Sequence, residues 1–177
     1  SRLGNATGTF GVPVQVEYAD YHLGADFNND GDIDFPRRNY HLTGKLEILH
    51  NQGNGVFLIQ PTDHNTGVIK DVKDLNNDNL PDLIVSYDST RIQVILNNGN
   101  NNFTPTIYQV PVRNGCCGNP PTIPFVGEFT GDDFLDIMIT DHRKPYYSIY
   151  KNNGSGVFSR IDYNVRAVGE PFGDIDG

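Results

Sequence analysis

The sequence predicts an all-β chain made of four-stranded antiparallel units, and three observations carry that prediction. A nine-residue acidic run recurs along the chain. Short β-branched runs follow each copy. Each unit then passes through an Asn/Gly turn, and no segment shows a helical period of any length. The acidic run begins at Asp26 (D-F-N-N-D-G-D-I-D), Asp74 (D-L-N-N-D-N-L-P-D) and Glu128 (E-F-T-G-D-D-F-L-D). A fourth copy opens at Asp174, so the steps are 48, 54 and 46 residues. A period of about 45–50 residues with four strands per unit is that of a β-propeller blade.

Each unit has the same order of elements. An apolar stretch leads into the acidic loop, as in G-V-I-K-D-V-K before Asp74 and T-I-P-F-V-G before Glu128. A second run follows: P-D-L-I-V-S-Y in one unit and L-D-I-M-I-T in the next. A third run alternates (K-L-E-I-L-H, R-I-Q-V-I-L, Y-S-I-Y) and ends at N-Q-G-N-G, N-N-G-N-N or N-N-G-S-G. Asn and Gly supply the positive φ that a tight hairpin needs, so a fourth strand follows. The first unit is irregular, because P-R-R-N-Y-H-L-T-G stands where a β-branched second strand is expected.

The acidic run has the spacing of a calcium loop. Calcium takes about 6–8 oxygen ligands at about 2.3–2.6 Å. Side chains at positions 1, 3, 5 and 9 and a backbone carbonyl at position 7 can converge on one ion. The predicted ligands are therefore Asp26, Asn28, Asp30, the carbonyl of Asp32, and Asp34 in loop one. Loop two offers Asp74, Asn76, Asp78, the carbonyl of Leu80, and Asp82. Loop three offers Glu128, Thr130, Asp132, the carbonyl of Phe134, and Asp136, and the partial fourth copy offers Asp174 and Asp176. An EF-hand needs a bidentate Glu at position 12; Arg37, Val85 and Ile139 stand there instead. The competing reading is an acidic turn without metal, since Asp, Asn and Gly are ordinary turn formers. Clustered carboxylates without a cation would repel one another, which favours calcium.

Composition narrows the function. The 177 residues suffice for one domain with a real core. Net charge is −9, and three calcium ions would bring it to about −3, so the acidity is largely ligand chemistry. No Lys/Arg stripe exists to neutralise phosphates, which argues against nucleic acid. No apolar run approaches a membrane span. None of the five histidines sits in a zinc spacing, and neither a G-x-S-x-G elbow nor a Gly-rich phosphate loop is present, so no enzyme activity is expected. Asn5, Asn102 and Asn153 head N-x-S/T sequons in the third-to-fourth turns, on the calcium side of the blades. Sequons together with weak calcium sites suit an extracellular setting, secreted or on a cell surface. Adjacent Cys116 and Cys117 have three readings: a vicinal disulfide, pairing with other cysteines, or free thiols.

The patterns A-D-F-N-N-D-G-D-I-D-F, K-D-L-N-N-D-N-L-P-D-L-I-V and I-L-N-N-G-N-N-N-F resemble the FG-GAP/VCBS repeat over nearly the whole chain. Departures are Glu128 and Thr130 in loop three and Asn79 where Gly is usual. The resemblance implies calcium-studded β-propellers such as integrin α-subunit heads and several lectins. On this frame residues 1–18 are the outer strand of a preceding blade. Residues 19–64, 65–112 and 113–167 are full blades, and 168–177 are the inner strand of a following one. Open edges are a liability, so the chain is expected to belong to a larger propeller, seven-bladed by resemblance. The remaining blades would come from a longer chain or from assembly.

The face opposite the calcium loops is the predicted binding surface. Its loops carry Arg37, Arg38, Tyr40 and His41 in the first blade and His142, Arg143 and Tyr146 in the third. Arg and aromatic residues on a rigid scaffold suit recognition of a protein or glycan; the blander reading is solvated loop charge. The expected function is a calcium-stabilised recognition or adhesion module. Alternatives are a lectin, a structural subunit of an extracellular fibre, or the propeller part of a polysaccharide-active enzyme.

Overall fold

The structure, a computed structural model, describes residues 23–40, 43–53, 55–88, 90–110, 123–140 and 147–163. Eleven strands and no helix occur among them. Asn5, His41, Cys116, Cys117, His142, Arg143, Tyr146, Asp174 and Asp176 lie outside the described residues, as do segments 1–18 and 168–177.

The first sheet runs β1 (Phe35–Arg38), β2 (Lys45–Asn51), β3 (Phe57–Asn65). The second runs β4 (Val68–Lys73), β5 (Asp82–Asp88), β6 (Arg91–Asn97), β7 (Phe103–Gln109). The third runs β8 (Ile123–Gly127), β9 (Asp136–Thr140), β10 (Tyr147–Asn152), β11 (Phe158–Tyr163). Every pairing is antiparallel between sequence neighbours. These up-and-down sheets are β-propeller blades. A bridge between Ala25 and Asp34 extends the first blade across its acidic loop.

The blades stack through the alternation of their strands. One face of β5 and β6 puts Leu83, Val85 and Ile95 against Leu46, Ile48 and Phe27 of the first blade. The other puts Ile84, Ile92 and Val94 against Ile137, Ile139, Tyr150 and Phe158 of the third. Both faces are buried, so these strands read as continuous apolar runs. Each fully buried Leu or Ile contributes about 1.5–3 kcal/mol. At the turn into β4, a Cβ on Gly67 would lie 2.0 Å from the Ser86 carbonyl oxygen, so only glycine lets that turn close on β5.

The irregular second strand of the first blade does form. Phe35 and Pro36 pair with Leu49 and Ile48, and Arg37 lies opposite Glu47. The Arg37 guanidinium binds the Glu47 carboxylate at 2.7 Å, and Asn39 Nδ2 donates to the other Glu47 oxygen at 2.7 Å. Pairing across the strands makes a charged residue tolerable where the other blades carry Val85 or Ile139.

Candidate functional site

The three acidic loops share one backbone conformation despite their different residues. Positions 4 and 6 are left-handed in each: Asn29 and Gly31, Asn77 and Asn79, Gly131 and Asp133. Gly, Asn and Asp are the residues that adopt this region at least cost. Asn79 therefore replaces the usual glycine without changing the loop.

This conformation turns backbone N–H groups onto the acidic side chains. Asp26 accepts from Asp30 N at 3.1 Å and Gly31 N at 2.7 Å. Asp74 accepts from Asp78 N at 3.2 Å and Asn79 N at 2.8 Å. Glu128, one methylene longer, gathers the N–H groups of Thr130, Gly131 and Asp132 on a single oxygen. At position 5, Asp30, Asp78 and Asp132 each accept the N–H of position 7, from Asp32, Leu80 and Phe134. A second Asp30 oxygen takes the Asn28 amide at 2.8 Å, and Asp78 takes the Asn76 amide at 2.9 Å. In loop three, where Thr130 has no amide, Lys151 Nζ lies 3.0 Å from the Asp132 carboxylate. The Lys151 contact, above all, pulls the Asp132 carboxyl below the usual range. The N–H of Asp32, then the Asn28 amide, do the same for Asp30.

Position 9 is the anchor. Asp34, Asp82 and Asp136 are fully buried. One oxygen of each accepts the N–H of position 2: Phe27 at 3.0 Å, Leu75 at 2.8 Å, Phe129 at 3.1 Å. The other accepts, at 2.8 Å each time, the N–H of the last residue of the third strand: Asn51, Asn97 or Asn152. One carboxylate thus ties the acidic loop to the end of the blade's third strand. Burial pushes the Asp82 carboxyl up to about 6; the Asn97 and Leu75 N–H groups oppose that, and the Asp78 and Asp74 charges add to it. Such a loop is short of positive charge.

Loop three also brings ligand atoms together. Oxygens of Glu128, Asp132 and Asp136 lie within 4.8 Å of one another. Two oxygens bound to one calcium can be about 5 Å apart, so the spacing admits a single ion. Thr130 Oγ1 is buried without a hydrogen-bond partner at predicted position 3. The donor set and this orphaned hydroxyl fit calcium. Among the described residues no other carboxylate group meets that spacing, so loops one and two contribute an all-oxygen donor set and the shared backbone frame.

Sequence reasoning missed a latch between blades. Asn97 Nδ2 donates to the Phe27 carbonyl at 3.0 Å, and Asn152 Nδ2 to the Leu75 carbonyl at 2.7 Å. Each joins the third strand of one blade to position 2 of the preceding loop. His50 adds a second link, with Nδ1 2.9 Å from Asp34 and Nε2 2.8 Å from Asn101 of the next blade. The signal was present as the recurrent Asn at 51, 97 and 152.

At the opposite end, the predicted binding residues separate. Arg37 is engaged by Glu47. Arg38 lies over the Tyr40 ring, 5.1 Å from its centroid, and Tyr40 is 52% exposed. The second blade repeats the motif with Arg91, 4.8 Å over Tyr87 and paired with Asp88, which the sequence reading did not single out. In the third blade Tyr147 and Tyr163 stack at 5.1 Å and 17°. Asn102 and Asn153 are exposed, at the acidic-loop end.

Residues 74–139 match the FG-GAP-like repeat. That stretch runs from the first residue of loop two into β9, so it spans loop two, β5 to β8 and loop three. The chain is also similar in structure to an Agrocybe aegerita lectin, whose reported study concerns specific recognition of non-reducing terminal N-acetylglucosamine. The TM-score is 0.52 at 19% identity, over 79% of this chain and 37% of the lectin, so the likeness is one of fold. The chain spans little more than a third of that protein's length. No curated protein matches the chain in sequence.

Proposed function

We propose that this chain is part of an extracellular glycan-recognition propeller, stabilised by calcium in its acidic loops and binding through the opposite loops. The observation that carries the reading is the recurrence of stacked rings at one end of three successive blades: Arg38 on Tyr40, Arg91 on Tyr87, Tyr147 on Tyr163. Flat aromatic faces pack against sugar C–H groups, and guanidinium forks donate to hydroxyls. A rigid blade edge holds them at little entropic cost. The lectin-like fold supports the same reading.

Calcium has a structural role in this reading. Glu128, Thr130, Asp132 and Asp136 would hold it in loop three, and the position 1, 3, 5 and 9 side chains in loops one and two. The ion would supply the positive charge that the Asp82 surroundings lack. The module has no chemistry of its own.

A glycan array probed with the intact, calcium-loaded protein tests the proposal. Binding to a defined glycan set is expected, with the signal lost in the Tyr40→Ala/Tyr87→Ala double variant. A blank array, or turnover of a polysaccharide, would overturn it.

A further inference from the structure

The first blade departs from the others at its binding end. Counting from the buried position-9 aspartates, β5 carries Val85 and Ser86 and β9 carries Ile139 and Thr140, where β1 carries Arg37 and Arg38. Arg37 is neutralised by Glu47. Arg38 is not. Among the described arginines, Arg37, Arg91 and Arg160 each pair with a carboxylate, and no described carboxylate pairs with Arg38. Its Nε is buried without a hydrogen-bond partner. A buried unpaired donor costs free energy unless something accepts from it.

The turn beside Arg38 is held by backbone hydrogen bonds. Asn39 N donates to the Lys45 carbonyl at 2.9 Å and Gly44 N to the Asn39 carbonyl at 2.7 Å, which closes the turn carrying Tyr40. Gly44 has φ 68°, and a Cβ there would stand 3.6 Å from the Arg38 guanidinium, so glycine leaves that flank uncovered. The result is a guanidinium with an unpartnered Nε lying across an exposed ring, in a chain of net charge −9.

We propose that Arg38 and Tyr40 form an anion-reading subsite that accepts a carboxylate-bearing saccharide, a uronic acid residue for example. This rests on the reading of the opposite face as a glycan surface. The guanidinium fork matches a planar carboxylate with two parallel hydrogen bonds. Tyr40 carries the sugar ring. Neutral sugars would leave the charge of Arg38 unanswered.

The test compares two oligosaccharides that differ only in the terminal residue, glucuronate or glucose, by calorimetry on the intact calcium-loaded protein. The glucuronate form should bind about tenfold tighter. Raising salt from about 0.05 to about 0.5 M should erode that preference. Arg38→Gln should abolish it, leaving the two oligosaccharides equal in affinity; Arg160→Gln, a charge control on β11, should leave it intact. Equal wild-type affinities, a salt-independent preference, or a preference that survives Arg38→Gln would overturn the subsite while the glycan reading stands. If neither sugar binds, the subsite falls, and the glycan reading falls only if the array is also blank. The salt series needs no variant, so a folding defect in Arg38→Gln would not rescue the idea.

Discussion

Removing the amide of Asn97 should uncouple the first two blades. Asn97 is fully buried. Its Nδ2 donates to the Phe27 carbonyl at 3.0 Å, and its Oδ1 accepts Gly99 N at 3.0 Å. Alanine keeps the backbone N–H that binds Asp82, so loop two stays anchored. It strands the Phe27 carbonyl inside the blade boundary and the Gly99 N–H in the half-buried turn. A buried group left unpaired costs about 1–3 kcal/mol, and the partly solvated Gly99 N–H lies at the low end, which gives about 3 kcal/mol in all. For a chain of this size that lowers Tm by roughly 6–12 °C. The assay is urea unfolding in calcium-containing buffer, with Asn98→Ala beside it. Asn98 is exposed and reaches Thr104 Oγ1 at 2.9 Å, so its loss should cost under about 0.5 kcal/mol. If Asn97→Ala costs no more than Asn98→Ala, the amide does not lock the blades and the latch has no energetic meaning.

Asp30→Ala and Asp78→Ala should each lower Tm in calcium and shrink the calcium-dependent shift, because a cation bound only by the folded state stabilises by mass action; identical melting curves in calcium and in chelator would refute a calcium role. In chelator, Asp82 should make stability depend on pH in the sense opposite to an ordinary carboxylate. Its folded pKa, about 6, exceeds the ordinary 3.8, so its contribution is full below about 4 and is lost as pH rises through about 6. The loss is at most about 3 kcal/mol, and Asp82→Asn should flatten that part of the chemical-denaturation pH profile. Asn102→Gln and Asn153→Gln, at the acidic-loop end, should leave glycan affinity by calorimetry within about a factor of two.

Much of the architecture was legible because it rests on periodicity. The 48- and 54-residue steps between acidic loops, the apolar runs and the Asn/Gly turns place β5 to β7 and β9 to β11 where the structure has them. The first blade was harder, since Arg37 breaks the apolar run and only its partner Glu47, ten residues away, explains the strand. The latches were illegible for a stronger reason. Asn97 and Phe27 are 70 residues apart, and Asn152 and Leu75 are 77 apart, so no local pattern pairs them. Loop three looked the most divergent, yet it brings three carboxylates together. The longer Glu128 gathers three N–H groups on one oxygen, and Thr130 has no amide to cap Asp132. The paired Arg and Tyr of β5 and β6 depend on a side chain folding back over its neighbour, which spacing does not encode.

The two ends of each blade are separated enough to act independently, and that has a measurable consequence. β5 is seven residues long. At about 3.3 Å per residue it spans about 23 Å. That exceeds the Debye length of about 8 Å at physiological salt, so a calcium charge at one end is screened from a ligand at the other. Calcium should therefore affect binding only by keeping the blades folded. Below the melting temperature of the calcium-free protein, chelation should change glycan affinity by less than about twofold. Above it, binding should vanish together with the folded signal. A ligand bridged by the ion would behave differently, losing affinity on chelation while circular dichroism still reports folded blades. That outcome would move the binding surface to the acidic loops and leave the Arg and Tyr stacks as packing alone.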